Sequence, residues 1–261
     1  MEDTYLNDTG AGPGTDAWTQ AAPAEDWDDR TLTLLGEANV RRLASARVLV
    51  VGVGGVGGYA AEMLARSGVG HLTIIDADDV ALSNINRQLI ALHSTVGESK
   101  TLLFARRFRD INPGISVDAR DEYLTPENVP EVLDGGYDYV IDAIDTVAPK
   151  TALLAECLRR HIRVISSMGA GGRIDPTKVG YADIWETVED GLARAVRRNL
   201  RKLGLRRPLK VVASSEAPRR HSLIGLDLPN KRSSFGTLAQ IPSLFGIFLA
   251  SHVINSLISE R

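Results

Sequence analysis

Cysteine is almost missing from this chain: Cys157 is the single example in 261 residues. One thiol excludes a disulfide framework and any zinc site built from paired cysteines of one chain. It makes a reducing cytoplasm the simplest setting. Residues 1–29 lack lysine and arginine, carry eight acidic residues, and are rich in glycine, alanine and proline. A segment with so little apolar surface to bury is expected to be a disordered acidic tail. A basic-then-apolar leader pattern is missing from the N-terminus, and no internal repeat is present. Long apolar runs are also scarce. The one of note, 241–258, is interrupted by Pro242, Ser243, Ser251, His252, Asn255 and Ser256. Its length is borderline for a span, so it reads as a core helix packed on a sheet, with membrane association the minority alternative.

What is present fits a soluble protein with one large or two small domains: 44% of residues are hydrophobic and 24% charged. The net charge of −3 hides an asymmetry, because the body without its tail stands at +5.

The most informative segment is Gly52-Val53-Gly54-Gly55-Val56-Gly57, directly behind the apolar run Val48–Val51. A second apolar run, Leu72–Ile75, ends on Asp76. A strand feeds a glycine-rich turn, the turn opens a helix, and a carboxylate closes the next strand. Glycines let backbone N–H groups approach phosphate, the helix N-terminus adds partial positive charge, and the carboxylate suits a ribose diol. Which nucleotide binds is not fixed by this motif.

Periodicity predicts helices over 34–44, 56–67, 97–111, 147–161, 189–203 and 241–258, with strands over 47–51, 71–75, 115–119, 138–142, 163–167 and 209–213. A short helix is expected to start with Thr125 as its cap and Pro126 at its first position. Residues 216–236 read as a mobile loop. Alternating strands and helices predict an α/β fold: a Rossmann-like, doubly wound, mostly parallel sheet. The expected organisation is a core at 30–170 and a C-terminal α/β extension at 171–261.

A dehydrogenase is the default owner of the glycine motif. The polar series after it points instead to a nucleoside triphosphate. Arg87 can neutralise charge developing on phosphate. Asn84, Asn86 and Gln88 can fix oxygens through neutral hydrogen bonds. Lys100 at a helix start can reach a β or γ phosphate. Asp142 and Asp145 close a strand, where ligands of open α/β sheets bind and where a carboxylate suits Mg²⁺. Each residue has a plainer reading: Asp142 also suits a helix cap, and Lys100 a solvated helix position.

Taken in order, these segments resemble the ubiquitin-activating-enzyme-like adenylating family. They are the glycine turn, Asp76-Ala77-Asp78-Asp79-Val80, Ser83 through Gln88, Val96 through Lys100, Ile111-Asn112-Pro113 and Asp142-Ala143-Ile144-Asp145. The resemblance implies ATP and Mg²⁺ as cofactors, with a monovalent cation left open, and transfer of AMP to a carboxylate. It implies that Gly52, Gly54, Gly55 and Gly57 line the phosphates and that Asp76 holds the ribose. Asp78, Asn84, Asn86, Arg87, Gln88, Lys100 and Asp142 complete the nucleotide site, with Arg87, Lys100 and Asp145 as its catalytic set. Asp145 is the metal ligand. It also implies a homodimer in which an arginine crosses to the partner's γ-phosphate, and Arg30 is the candidate.

Three branches of that family compete. Modifier activators need a catalytic cysteine, but Cys157 falls on the apolar side of a predicted helix. Thiamine and molybdopterin adenylyltransferases usually carry paired cysteine motifs for zinc. The chain further resembles the branch that dehydrates threonylcarbamoyladenosine in tRNA. The segments Tyr139 through Lys150, Gly169-Ala170-Gly171-Gly172-Arg173 through Thr177, Ser214 through Pro218, and Phe235-Gly236 carry this likeness. It implies adenylation of the threonine carboxylate beside the anticodon, then intramolecular attack. The alternative is activation of a small sulfur-carrier protein's C-terminal carboxylate, with a separate sulfur-transfer partner. A non-catalytic nucleotide-binding scaffold and an oxidoreductase are more distant.

Charge supports an RNA substrate independently. Ten basic residues and one acid, Glu216, lie between Arg194 and Arg220. Arg194, Arg197, Arg198 and Arg201 share one helical face, and Lys202, Arg206 and Arg207 extend it. Such a face suits a phosphate backbone. Few aromatics interleave it, so phosphate contact and shape outweigh base stacking.

Overall fold

The computed structural model describes residues 26–228 and 231–259. Residues 1–25 of the expected acidic tail lie outside the described residues, and the last residue of that expected tail, Asp29, already opens a helix.

The N-terminal helix expected over 34–44 is two helices, α1 (Asp29–Leu35) and α2 (Glu37–Ser45). Gly36 separates them with φ 75° and ψ 158°, a conformation that ends a helix and that glycine adopts without a Cβ penalty. Strand β1 (Arg47–Val51) leads through the glycine turn into α3 (Gly57–Arg66), and β2 (His71–Ile75) follows. After a long polar segment come α4 (Lys100–Ile111), β3 (Ser116–Arg120), α5 (Val129–Leu133) and β4 (Tyr139–Asp142). Helix α5 starts later than expected. Asn128 Oδ1 accepts from Thr125 N–H at 2.7 Å, so Thr125 to Asn128 form a turn rather than the first helical turn.

The remaining elements are α6 (Val147–Arg160), β5 (Val164–Ser167), β6 (Val179–Asp183), α7 (Gly191–Lys202) and β7 (Lys210–Ser214). Residues 216–236 are not simply a loop. They contain β8 (Leu223–Leu228) and β9 (Lys231–Phe235), an antiparallel hairpin in which Leu223 faces Phe235. Helix α8 (Gln240–Ile258) closes the fold.

The seven-stranded sheet runs β3-β2-β1-β4-β5-β7-β6. Every pairing is parallel except β6 with β7. Within this sheet, β6 is the strand that the periodicity did not reveal. The central strands are buried on both faces, which explains their mostly apolar sequences, with Thr73, Ser166 and Ser167 as buried polar exceptions. Strand order reverses between β1 and β4, and the crevice at such a reversal is where open α/β sheets bind ligands.

Two apolar clusters flank the sheet. Helices α3, α4 and α8 cover one face, and α5, α6 and α7 the other. Ile241, Phe245, Leu249 and Val253 put one face of α8 into the core at helical spacing, each fully buried. Gly246 lets α8 lie close on α3, since a Cβ there would collide with the Val56 carbonyl. Among the described residues α8 is the one helix long and apolar enough to cross a membrane. One face of it packs on α3.

Candidate active site

The glycine turn is a product of backbone sterics. Gly52 stands at φ 83° and donates to Ile75 O at 2.8 Å. A Cβ at Gly57 would collide with the Gly52 carbonyl, so the chain can close this tightly only without side chains. A Cβ on Gly52 would stand 3.0 Å from Ala143 O, which places the turn against the loop after β4. Helix α3 starts here with no side-chain cap; Gly58 N–H is taken by Gly54 O at 3.1 Å, and the positive end of the helix dipole lies at the turn, which favours an anion there.

Asp76 sits beneath this turn. Its Oδ2 accepts from Val53 N–H at 2.8 Å and its Oδ1 from Asp78 N–H at 3.0 Å. Burial pushes its carboxyl above the ordinary aspartate value, with the nearby Lys100 ammonium opposing that shift. Lys100 is the first residue of α4, which begins three residues later than expected because Gly97 turns at φ 88°. Its side chain is buried, with Nζ 2.8 Å from Asp78 Oδ2 and 3.7 Å from Asp76 Oδ1. The lysine thus stands beside both Asp76 and Asp78.

The polar segment after β2 wraps over the turn. The Arg87 side chain passes across Gly55, its Cγ 3.3 Å from where a Cβ would stand. Arg87 Nη1 donates to Ser83 O and to Asn86 Oδ1, both at 2.9 Å. Asn84 is buried and accepts from Ala81 N–H at 3.1 Å, so its carbonyl shapes the segment. Asn86 Nδ2 donates to Thr237 O at 3.0 Å. Gln88 is buried beside Gly54, and its Oε1 is the one buried side-chain polar atom among the described residues with no partner. An orphaned amide oxygen at a glycine turn fits a site completed by a polar ligand, because leaving such an atom unpaired is costly.

The two aspartates after β4 separate. Asp142 is fully buried and engaged inside the fold: Oδ2 meets Lys150 Nζ at 2.8 Å and Ser166 Oγ at 2.6 Å, and Oδ1 accepts from Ile144 N–H at 3.1 Å. It shapes the loop and does not face the crevice. Asp145 is exposed at the mouth. The motif reading passed over Lys150, although Lys150, Leu153, Leu154 and Cys157 fall at the spacing of one inward helical face. Cys157 itself has no exposed surface, and burial, aided by Asp142 and Glu156, pushes its thiol up to about 12.

Arg30 is not at this site within one chain. It is exposed on α1 and lines a groove with Leu34, Ser67 and Ile258, at the end of α3 opposite the glycine turn.

The basic residues also divide. Arg194, Arg198, Lys202 and Arg206 are exposed on and just after α7, and the exposed Arg201 stacks over Trp185 at 5.3 Å. Arg197 is turned inward, and its Nη1 donates to Ile184 O at 2.8 Å and Thr187 O at 2.9 Å. Arg207 Nη1 donates to Leu158 O at 3.2 Å, closing the end of α6. The N-cap of α7, Asp190, accepts from Gly169 N–H at 2.9 Å, so the basic helix starts at the ligand-binding edge of the sheet.

A model of the ThiF family matches residues 28–260. The chain belongs to the ThiF family. A tRNA threonylcarbamoyladenosine dehydratase of Bacillus subtilis is 42% identical over 236 residues, which cover 87% of this chain and 92% of that one. The crystal structure of the Escherichia coli tRNA N6-threonylcarbamoyladenosine dehydratase in complex with ATP superposes with a TM-score of 0.81 at 38% identity. It covers 94% of this chain and 96% of that one. By contrast, an adenylyltransferase and sulfurtransferase of Culex quinquefasciatus is 39% identical over 127 residues, 49% of this chain and 29% of its own length. The likeness to the dehydratases runs through the C-terminal extension, whereas this last one spans about half of the chain.

Proposed function

We propose that this ThiF-family protein is an ATP-dependent dehydratase that cyclises threonylcarbamoyladenosine in tRNA. The observation that carries the reading is the shared edge. The phosphate-binding turn, with Arg87 across it, and the start of the basic helix α7 both lie at the C-terminal ends of the parallel strands, and the chain's one thiol is buried. Similarity to tRNA threonylcarbamoyladenosine dehydratases over 87% of the chain supports it.

In this mechanism the threonine carboxylate attacks the α-phosphorus of ATP, and the bond to pyrophosphate breaks. A carboxylate is already nucleophilic, so this step requires no general base. The N–H groups at the start of α3 and the Arg87 guanidinium offset charge on the departing pyrophosphate. Asp76 fixes the ribose, and Lys100 beside it supplies positive charge toward the phosphates. The ureido group of the same side chain then attacks the acyl carbon. AMP leaves, a proton passes to solvent, and the net change in the nucleoside is the loss of water. Asp145, exposed after β4, would hold Mg²⁺ together with phosphate oxygens, and the ion would neutralise charge there. Arg194, Arg198, Arg201, Lys202 and Arg206 contact the tRNA backbone.

The functional unit is a homodimer. Arg30 stands at the wrong end of α3 to reach its own glycine turn, and the α1 surface around it carries Leu34 at 81% exposure. A second copy covers that surface and brings Arg30 to the first copy's triphosphate. With tRNA as substrate, the working compartment is the cytoplasm.

The test is release of AMP from ATP by purified protein. Release that depends on threonylcarbamoylated tRNA supports the reading. ATP–pyrophosphate exchange that appears only with a small carrier protein, without such AMP release, replaces it by the carrier-activating one.

A further inference from the structure

The segment Gly169-Ala170-Gly171-Gly172-Arg173 follows β5 and has no part in the steps above. Arg173 is buried, 3% exposed, at the junction of three loops. Its guanidinium donates to Gly169 O, to Glu216 O at 3.0 Å and to Glu189 O at 2.9 Å, and it pairs with Asp190 Oδ2 at 3.4 Å. Asp190 is equally buried and serves two masters: Oδ1 caps α7 through Ala193 N–H at 2.8 Å, and Oδ2 takes Gly169 N–H at 2.9 Å. The Glu216 carboxylate accepts from Ile174 N–H and Asp175 N–H at 3.0 and 2.9 Å, which locks the loop after β7 to the same arginine.

From this junction a hydrogen-bonded route leads to the triphosphate side. Gly172 N–H donates to Gly236 O at 2.9 Å. The next residue, Thr237, accepts from Asn86 Nδ2 at 3.0 Å, and Asn86 Oδ1 accepts from Arg87 Nη1 at 2.9 Å. The first turn of the basic helix and the arginine over the glycine turn are therefore fixed to one frame. A buried arginine–carboxylate pair is a poor source of net stability, and here its hydrogen bonds tie together the three loops that meet at it.

We propose that Arg173 and Asp190 are positioning residues that set the RNA-binding helix α7 in register with Arg87, so that a bound tRNA presents its carboxylate in line with the α-phosphorus. This rests on the dehydratase reading. Neither residue touches substrate. The pair acts through Asn86, Thr237 and the glycine segment after β5. Misplacement of reacting groups by about an ångström costs on the order of 100-fold in rate, so the effect belongs in kcat.

The experiment uses full-length protein with threonylcarbamoylated tRNA, ATP and Mg²⁺. Asp190→Ser keeps a hydroxyl to cap α7 while removing the partner of Arg173, and Arg173→Lys keeps the charge while losing the fork. The expected result is a kcat lowered on the order of 100-fold. The KM for ATP and the tRNA dissociation constant should stay within about twofold of the parent. Combining Asn86→Ala with Asp190→Ser should cost less than the product of the two single losses. A kcat near the parent value in Asp190→Ser or Arg173→Lys would overturn the proposal. So would a loss that appears wholly in KM, or strict multiplicativity with Asn86→Ala. If the parent protein itself fails to convert the tRNA, it is the dehydratase reading that falls.

Discussion

Lys150 Nζ lies 2.8 Å from Asp142 Oδ2, and neither side chain has any exposed surface. The lysine also donates to Ile144 O at 2.9 Å, so it braces both ends of the loop that leads to Asp145. Removing one partner of a buried pair leaves the other charge without compensation, which costs ~3–5 kcal/mol. Lys150→Met is expected to lose about that much in urea unfolding. Adding Asp142→Asn should restore most of it, because a neutral amide no longer needs the ammonium. A Lys150→Met protein as stable as the parent would mean that the pair contributes nothing to the loop.

Arg87→Ala and Asp145→Ala are expected to leave the unfolding midpoint near that of the parent, since both side chains lie at the mouth rather than in the core. Each should lower AMP formation by ~10²–10³-fold, the usual cost of removing one preorganised charge-stabilising group. A steady-state assay of AMP release checks this, and full turnover in either variant would remove that residue from the mechanism.

Neighbouring arginines on α7 are expected to behave differently. Arg198→Ala should weaken tRNA binding and lower the slope of log affinity against log salt by about one, as loss of one phosphate contact does. Arg197→Ala should instead destabilise the fold by ~1–3 kcal/mol, because it removes the side-chain donor to the Thr187 carbonyl and one of the donors to the Ile184 carbonyl. Binding titrations at several salt concentrations, paired with thermal unfolding, separate the two.

The Cys157 thiol, pushed up to about 12 by burial, is protonated across the physiological range. Iodoacetamide at pH 8 should leave it unmodified in folded protein and alkylate it after unfolding. Cys157→Ser should retain dehydratase activity. Rapid labelling of the native protein, or complete loss of turnover in Cys157→Ser, would restore a thioester mechanism.

Asp76 gives a pH prediction. Burial raises its carboxyl pKa, so on acidification it takes up a proton earlier than a surface aspartate would. The ionised form is the better acceptor for a ribose diol and is the form present at higher pH. ATP affinity should therefore fall as pH drops from neutral into the acid range. Asp76→Asn should bind more weakly at neutral pH and show a flatter profile over that window. Equal pH dependence in the two proteins would assign the effect to the nucleotide.

The readable parts of this fold and site were those that sequence periodicity and punctuation mark directly. Apolar runs ending on Gly52, Asp76 and Asp142 marked three central strands, because strands buried on both faces are apolar at successive rather than alternate positions, Thr73 being the one polar residue within them. Other features depend on contacts distant in sequence. Asp142 and Asp145 look alike as residues, and only the burial of Lys150 sorts one into the loop's interior and the other into the mouth. Arg197 and Arg198 differ in the same way. The β8–β9 hairpin was hidden by its Pro-, Ser- and Arg-rich flanks, since strand pairing there is set by register and not by hydrophobic alternation. The break at Gly36 needed the backbone angle itself.

The most direct measurement is mass spectrometry of nucleosides from threonylcarbamoylated tRNA incubated with this protein, ATP and Mg²⁺. The account predicts that the modified adenosine becomes lighter by one water, only when ATP is present, and not with Arg87→Ala. An unchanged nucleoside, with ATP–pyrophosphate exchange appearing on addition of a small carrier protein, would contradict it.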